Sequence, residues 1–271
     1  MTVIFGKQLA VTALATAASL SAATAPNAQD APSLFGVKSA SVTYGPYAKF
    51  ELGAARQAND EGYWHPPGAA DPDVFFDLSN ETAGYASAAF GFDWMNGFRG
   101  DVSLLAFGES DVDAEWSRTV PAEPGPHANV TTTTKSRALM VTGHYSPLEH
   151  QGKNVLVQPF LSAGIGLARN KMSDWERTNP GSARPVRTFE GDSSSEFAWT
   201  VGLGVAVELK RGRGKTPIIL EAGYKYFDLG TVTGGDQPLP GNGNSRPIDP
   251  FQFDNQQHVV SIGIRIPLKK Y

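Results

Sequence analysis

The sequence contains no cysteine among its 271 residues, and this absence excludes several kinds of protein at once. Without thiols there is no disulfide framework, no cysteine-ligated zinc, no thiol nucleophile and no cysteine-linked lipid anchor. A basic stripe is also lacking, because 23 Lys and Arg residues are set against 27 Asp and Glu residues, which gives a net charge of −4. This balance argues against a nucleic-acid partner.

Long apolar runs are scarce as well. One run lies between Leu9 and Leu20, follows Lys7 and gives way to small residues. A positive start, a short apolar run and small residues at its exit predict a secretory signal peptide over residues 1–29, cleaved between residues 25 and 29. A transmembrane anchor is the alternative, but the run is short and rich in Ala and Thr. No other segment approaches the roughly 20 apolar residues of a spanning helix.

What the sequence has instead is glycine, proline and strict alternation. The chain has 29 Gly and 19 Pro, a composition that suits an all-β domain with many turns. The clearest segment is 85–108, in which an apolar row alternates with a row of small and charged residues. The period of two predicts strands. The break at Asn96-Gly97 predicts a tight type I′ hairpin between them.

Eight alternating segments follow one another along the chain: 46–55, the two arms of 85–108, 137–145, 154–168, 196–209, 218–227 and 257–268. The connections between them are long and short in strict alternation. The long ones are polar and span 56–83, 109–135, 169–195 and 228–256. This pattern predicts an all-β fold: an eight-stranded antiparallel up-and-down transmembrane β-barrel with four long extracellular loops and short periplasmic turns.

A soluble lipocalin-like calyx is the alternative fold, with the apolar row turned inward. It would not need four long loops at one rim, nor a row of charges opposite an all-apolar belt. Each predicted strand also has about the 9–11 residues that a tilted strand needs to cross a bilayer.

Four stretches carry a resemblance to a known family: Pro46-Tyr-Ala-Lys-Phe-Glu-Leu-Gly, Gln158-Pro-Phe-Leu-Ser-Ala-Gly-Ile-Gly, Gly223-Tyr-Lys-Tyr-Phe-Asp-Leu-Gly and Gly263-Ile-Arg-Ile-Pro-Leu. In these the chain resembles the eight-stranded outer-membrane barrels of the outer-membrane protein A transmembrane domain and the opacity-protein-like surface antigens. The resemblance implies a protein of the Gram-negative outer membrane, with a short periplasmic segment at 30–45 and the barrel at 46–271. It also implies contact with outer-membrane lipid and lipopolysaccharide, and recognition of the C-terminal strand, which ends in Tyr271, by the barrel-insertion machinery.

Strand parity directs nine charged side chains into the barrel. They are Lys49, Glu51, Asp93, Arg99, Asp101, Glu208, Glu221, Lys225 and Arg265. An eight-stranded barrel is just wide enough for its interior to be filled by side chains, and an unpartnered buried ion is costly. The parity therefore predicts a lumenal charge network that plugs the barrel and leaves no open pore. General acid–base chemistry between the carboxylates is the alternative.

Catalytic, cofactor and metal sites are not expected. His258 and Ser261 lie three apart on one strand and so face opposite sides, and no Gly-x-Ser-x-Gly elbow is present. The other histidines, at positions 65, 127, 144 and 150, lack metal-ligand spacing.

The long loops combine acidic residues with the aromatics Tyr63, Trp64, Trp116 and Trp175. Such aromatics are either binding hot spots or side chains that pack loop on loop. The expected role is structural and surface-facing: envelope integrity, or a surface antigen or adhesin that contacts a host or cell-surface ligand through the loops. A channel for small hydrophobic solutes is the alternative and needs an apolar lumen at the extracellular end. A lipid-modifying enzyme is the third possibility. The basic turn at 210–215 is expected to contact anionic headgroups or solvent.

Overall fold

A computed structural model describes residues 45–125, 128–153, 155–180, 186–209, 217–240 and 245–268. The predicted signal peptide, residues 30–44 of the periplasmic segment, the basic turn at 210–215, His127 and Tyr271 lie outside the described residues. The elements are β1 (Pro46–Gln57), β2 (Glu61–His65), β3 (Asp73–Asn80), β4 (Thr82–Asp93), β5 (Phe98–Val120), β6 (Asn129–Tyr145), α1 (Pro147–His150), β7 (Val157–Met172), β8 (Trp175–Thr178), β9 (Arg187–Phe189), β10 (Asp192–Leu209), β11 (Ile218–Thr233) and β12 (Asp249–Pro267). Within the described ranges no helix has the length and apolar character to cross a membrane.

Eight of these strands form a closed antiparallel ring. Its order is β1, β4, β5, β6, β7, β10, β11 and β12, and β12 pairs with β1 to close it. Every neighbour in the ring is antiparallel. The eight-stranded barrel predicted from the alternation is therefore confirmed. We call the end with the β4–β5 and β6–β7 connections the short-turn end, and the opposite end the long-loop end.

The barrel is apolar outside and mixed inside, as the parity predicts. A belt of exposed large apolar side chains surrounds the ring and includes Phe50, Leu52, Phe90, Leu104, Leu139, Ile165, Leu167, Phe197, Leu203, Val260 and Ile262. The alternate residues of the same strands are buried. A soluble calyx would have the reverse arrangement, so the surface excludes that fold.

The β4–β5 turn differs from the predicted one. Positive φ angles fall at Met95 (61°) and Gly97 (87°) rather than at both Asn96 and Gly97. The side chains of Asp93 and Asn96 accept hydrogen bonds from the backbone N–H groups of Met95 and Phe98. These local bonds and the Trp94 N–H to Phe98 carbonyl bond widen the turn beyond two residues.

The four long connections consist largely of β-strand, because the barrel wall continues above the apolar belt. β5 has 23 residues and β12 has 19, far more than a membrane crossing needs. In the ring, β1 and β4 lie between β12 and β5. Above the belt, β2 and β3 take this place in the wall. β8 and β9 extend the wall from β6 in the same way. Polar outer faces hid these strands from a search for apolar alternation.

An apolar core, here called the upper cluster, fills the interior of this extension. Its buried members are Trp64, Val74, Phe76, Leu78, Val112, Ala114, Ala128, Val130, Met172, Trp175, Phe189, Val232, Phe251 and Phe253. Phe251 lies at its centre, with its ring 5.5 Å from that of Phe76 and 6.3 Å from that of Trp175. Trp64 and Trp175 are 2% and 0% exposed. These two loop aromatics therefore pack loop on loop and are not exposed hot spots.

Replacing Phe251 by Ala should loosen the extension without opening the ring. The loss of a buried phenylalanine costs about 3–5 kcal/mol, and the cost falls on the short strands that pack against this core. We expect protease to cut within β2, β3 and β8 of the refolded variant. Its unheated gel mobility should remain that of a folded barrel.

The matched control is Ile248→Ala, because Ile248 is 50% exposed at the same end. It should leave the digestion pattern unchanged. If both variants resist protease as the parent does, the upper cluster does not hold the extension together.

Candidate functional site

A network of buried charges lies inside the ring toward the short-turn end. It comprises four cations, Lys49, Arg99, Lys225 and Arg265, and four carboxylates, Glu51, Asp93, Asp101 and Glu221, all buried. The ladder brings them to neighbouring levels: Lys49 lies opposite Arg265 and Glu51 opposite Gly263, while Asp93 lies opposite Arg99. Positive and negative charges are equal in number, so the interior carries no net charge from these groups.

Glu51 is held by two ammonium groups. Its Oε2 lies 2.6 Å from Lys225 Nζ and 3.6 Å from Lys49 Nζ. The Ser87 hydroxyl donates a third bond to the same oxygen at 3.3 Å. A buried carboxylate with several donors offsets the cost of leaving water, which one ion pair alone does not do.

Asp101 is the centre of a second group. Its Oδ2 accepts a hydrogen bond from the Tyr47 hydroxyl at 2.9 Å and lies 3.0 Å from His144 Nε2. Lys49 Nζ is 3.6 Å away and so links this group to Glu51. Room for the Tyr47 ring depends on Gly91, where a Cβ would come within 2.5 Å of the ring.

The third group lies nearest the short-turn end. Glu221 Oε1 lies 2.8 Å from Arg265 Nε and 3.1 Å from Arg99 Nη2. Arg265 also reaches Asp93, with Nη1 2.9 Å from Oδ2. The Arg99 guanidinium lies 4.6 Å from the centre of the Phe160 ring, a cation–π contact. Two arginines and two carboxylates, each on a different strand, are thus connected.

Among the nine charges chosen from the sequence, eight come together in this way. Glu208 does not join those eight, because it is only half-buried near the end of β10, opposite Ile219. The sequence reasoning missed Tyr47 and His144 as members. The signal was available, because Tyr47 shares the inward face of β1 with Lys49 and Glu51, and the alternation in β6 places His144 on the inward face of that strand.

The interior above the network is filled in layers. An apolar layer comes first: Ala55, Tyr85, Leu105, Phe107, Ala138, Met140, Ala168, Ala198, Phe227, Leu229 and Val259. Above it Asn255 Nδ2 donates to Ser136 Oγ (2.8 Å) and to Asn170 Oδ1 (3.0 Å). The upper cluster follows. The cavity beside the network, lined by Asp101 and His144 among others, measures only about 10 Å³, which is the space of one water molecule.

His258 and Ser261, the two residues considered as a catalytic pair, lie on opposite faces of the sheet. His258 is exposed on the outer surface, where its ring stacks 5.8 Å from that of Tyr224, whereas Ser261 is buried inside. His144 is enclosed within the charge network. In the described part of the chain, no group of three or more His, Asp and Glu side chains has the arrangement of a metal site.

A polar cluster at the long-loop end joins β2, β3 and β12. His65 Nδ1 lies 2.6 Å from Asp73 Oδ1, and the Tyr63 hydroxyl lies 3.1 Å from the same oxygen and 3.0 Å from Asp249 Oδ2. Burial, together with these two carboxylates, raises the pKa of Tyr63 above its usual range. The phenol therefore remains a neutral donor and ties the three strands.

Arg265→Met should destabilise the folded barrel strongly. Asp93 would lose its arginine and remain buried, and Glu221 would keep only Arg99. Removing one partner of a buried pair costs about 3–5 kcal/mol. Urea unfolding of the barrel refolded in lipid vesicles measures this change.

Asp111→Asn is the control, since Asp111 is exposed and its carboxylate accepts a hydrogen bond from the Thr133 hydroxyl at 2.9 Å. It should unfold as the parent does. Equal unfolding midpoints for the two variants would show that the network contributes nothing to stability.

No protein-family model matches the chain. The chain is similar to outer membrane protein PagN of Salmonella typhimurium, with 29% identity over 149 residues that make up 54% of this chain and 57% of PagN. It thus spans little more than half the length of that curated relative. Among solved structures it resembles OprG of Pseudomonas aeruginosa, with a TM-score of 0.50, 14% identity and coverage of 82% of this chain and 96% of OprG. Neisserial surface protein A gives a TM-score of 0.42 at 14% identity and covers 84% of this chain and 100% of its own.

The closed ring, its apolar outer belt, the similarity to PagN and the likeness to the OprG fold lead to one conclusion. The chain is an eight-stranded β-barrel protein of the Gram-negative outer membrane.

Proposed function

We propose that this barrel is a surface-interaction protein, which contacts a host or another cell through its extracellular extension and neither conducts solutes nor catalyses a reaction. One observation carries the proposal. The interior is filled from the charge network to the upper cluster, while the wall continues beyond the apolar belt as a packed sheet. The long-loop end is extracellular in this proposal, as the alternation of long and short connections indicates.

The filled interior supports a role without transport. A solute would have to displace ion pairs at the level of Glu51 and Glu221, then an apolar layer, then the bonded Asn170 and Asn255. Opening these layers would expose buried charges or create cavities at a cost of several kcal/mol.

The packed extension supports a role in recognition. Loops that rest on a core pay less entropy on binding than mobile loops, and so present a pre-formed surface. Two apolar side chains, Val120 and Ile248, are about half exposed at its top, at 52% and 50%. They flank β2 and β3, since Val120 lies opposite Asp73 in the ladder and the Ile248 N–H donates to the His65 carbonyl. We propose this top surface as the contact region.

An assay of bacterial attachment to cultured cells tests the proposal. Cells of a non-adherent bacterium that display the protein should attach to cultured epithelial cells more than cells with an empty vector. V120D/I248D should lose most of that attachment, because a carboxylate in place of each exposed apolar side chain prevents its desolvation at an interface. The control Val102→Ala changes an apolar residue in the lipid-facing belt, 51% exposed. It should attach as the parent does.

Attachment equal to that of empty-vector cells, with the barrel shown to be folded by its heat-dependent gel mobility, would contradict a role in adhesion. Envelope integrity would then be examined through detergent sensitivity of a deletion strain.

A channel for hydrophobic solutes is the second candidate, favoured by the apolar character of the upper cluster at the extracellular mouth. The same residues are closely packed, so we expect no flux. Liposomes containing the refolded barrel should take up a hydrophobic dye no faster than liposomes without it. Faster uptake that increases in Phe251→Ala would establish transport and overturn our proposal.

A further inference from the structure

The outer surface of β6 and β7 carries four cations in two facing pairs, and we propose that they bind the phosphate groups of lipopolysaccharide. The pairs are Lys135 with Lys171 and Arg137 with Arg169, each directly opposite in the ladder. The ligand is a phosphorylated, multiply acylated glycolipid of the outer leaflet, with its phosphates on the cations and an acyl chain in the groove below.

All four side chains point away from the barrel interior. The residues between them, Ser136 and Asn170, are buried and bonded to each other across the same two strands. Since successive side chains of a strand face opposite sides, the cations occupy the outer face. Their exposure to solvent agrees with this orientation: Arg137, Arg169 and Lys171 are exposed, and Lys135 is half-buried.

Like charges directly opposite in a ladder destabilise the sheet. Within the described residues, one carboxylate neutralises this set: Glu109 Oε1 lies 3.1 Å from Lys135 Nζ. Arg169 donates to the Ser193 hydroxyl at 3.2 Å, and no described ion pair includes Arg137, Arg169 or Lys171. Three cations thus remain without a described counter-ion on a chain whose net charge is −4. A ligand with two or more negative charges removes the repulsion.

The cations stand at the upper edge of the apolar belt. Two residues further toward the short-turn end, the same outward rows continue as Leu139 and Leu167, which are 48% and 64% exposed. A phosphate held by Arg137 and Arg169 would therefore lie at headgroup depth, directly above the hydrocarbon. Guanidinium groups suit this position because they bind phosphate through two parallel hydrogen bonds.

An open groove of about 850 Å³ begins below Arg137 and Arg169. Small residues make it possible: Ala86, Ala88 and Ala106 lie among Leu52, Leu104, Leu139 and Leu167. The groove is apolar and cationic at its upper end, which matches an acyl chain attached to a phosphorylated sugar. Beyond the groove, Lys171 also lines a second pocket, which contains the carboxylates Asp174, Glu190 and Asp192.

Binding is tested with the barrel refolded in a non-ionic detergent and titrated with purified lipid A that carries its phosphates. The variant R137Q/R169Q should bind at least tenfold more weakly than the parent, and K135Q/K171Q should be weakened in the same direction. Arg56→Gln is the matched control, since Arg56 is exposed at the edge of the belt on β1, opposite Thr82 and His258. It should bind as the parent does.

A stability measurement separates a binding site from a merely structural one. Without lipid A, R137Q/R169Q should unfold at the same or a higher urea concentration than the parent, because it removes a repulsion. With lipid A, the order should reverse. Dephosphorylated lipid A should stabilise the parent and the variant equally.

Two results would overturn the proposal. Equal affinity of the parent, R137Q/R169Q and Arg56→Gln for lipid A would show that these cations are not the site. Complete displacement of lipid A by millimolar inorganic phosphate would show that the cations bind free phosphate and that the groove contributes no glycolipid specificity.

Discussion

Closure of the sheet is the constraint on which the rest of this structure depends. Lipid offers no hydrogen-bond partner to a backbone N–H or carbonyl group, so a strand that crosses the membrane must be bonded on both sides. The ladder between β1 and β12 supplies the last row of bonds. Closure in turn separates two surfaces with opposite requirements. The outer one must be apolar, and the inner one must be filled from only eight strands.

The charge network follows from that narrow interior. Ions buried this deeply are tolerated only when each has partners. Here four cations and four carboxylates form two groups of ion pairs, one bridged by Lys49 and the other by Glu221 and Arg265. Tyr47 and His144 complete the coordination of Asp101. A network linked from several strands also opposes any displacement of one strand against another. The contacts that fill the interior thus also link the strands of the ring.

The extension and the outer surface serve a different purpose from the ring. The upper cluster packs the described strands of the long connections together, so they form an ordered surface at the long-loop end. Cations on β6 and β7 lie at the height where this wall leaves the apolar belt. In our interpretation, the lower half of the protein is matched to lipid, its edge to lipid headgroups and its top to a partner outside the cell.

The sequence by itself determined the ring, because side-chain alternation must match a barrel with lipid on one side and a filled interior on the other. Eight of the nine charges chosen by parity are buried together for the same reason. Parity assigns a face but not a depth or a neighbour, so it did not select His144 or exclude Glu208. Strands β2, β3, β8 and β9 escaped notice because water on their outer face permits polar residues, and their inner residues meet only across distant segments. The pairing of Arg137 opposite Arg169 likewise depends on the register between β6 and β7. Only the tertiary structure decided these features, since register and depth arise from contacts between residues far apart in the chain.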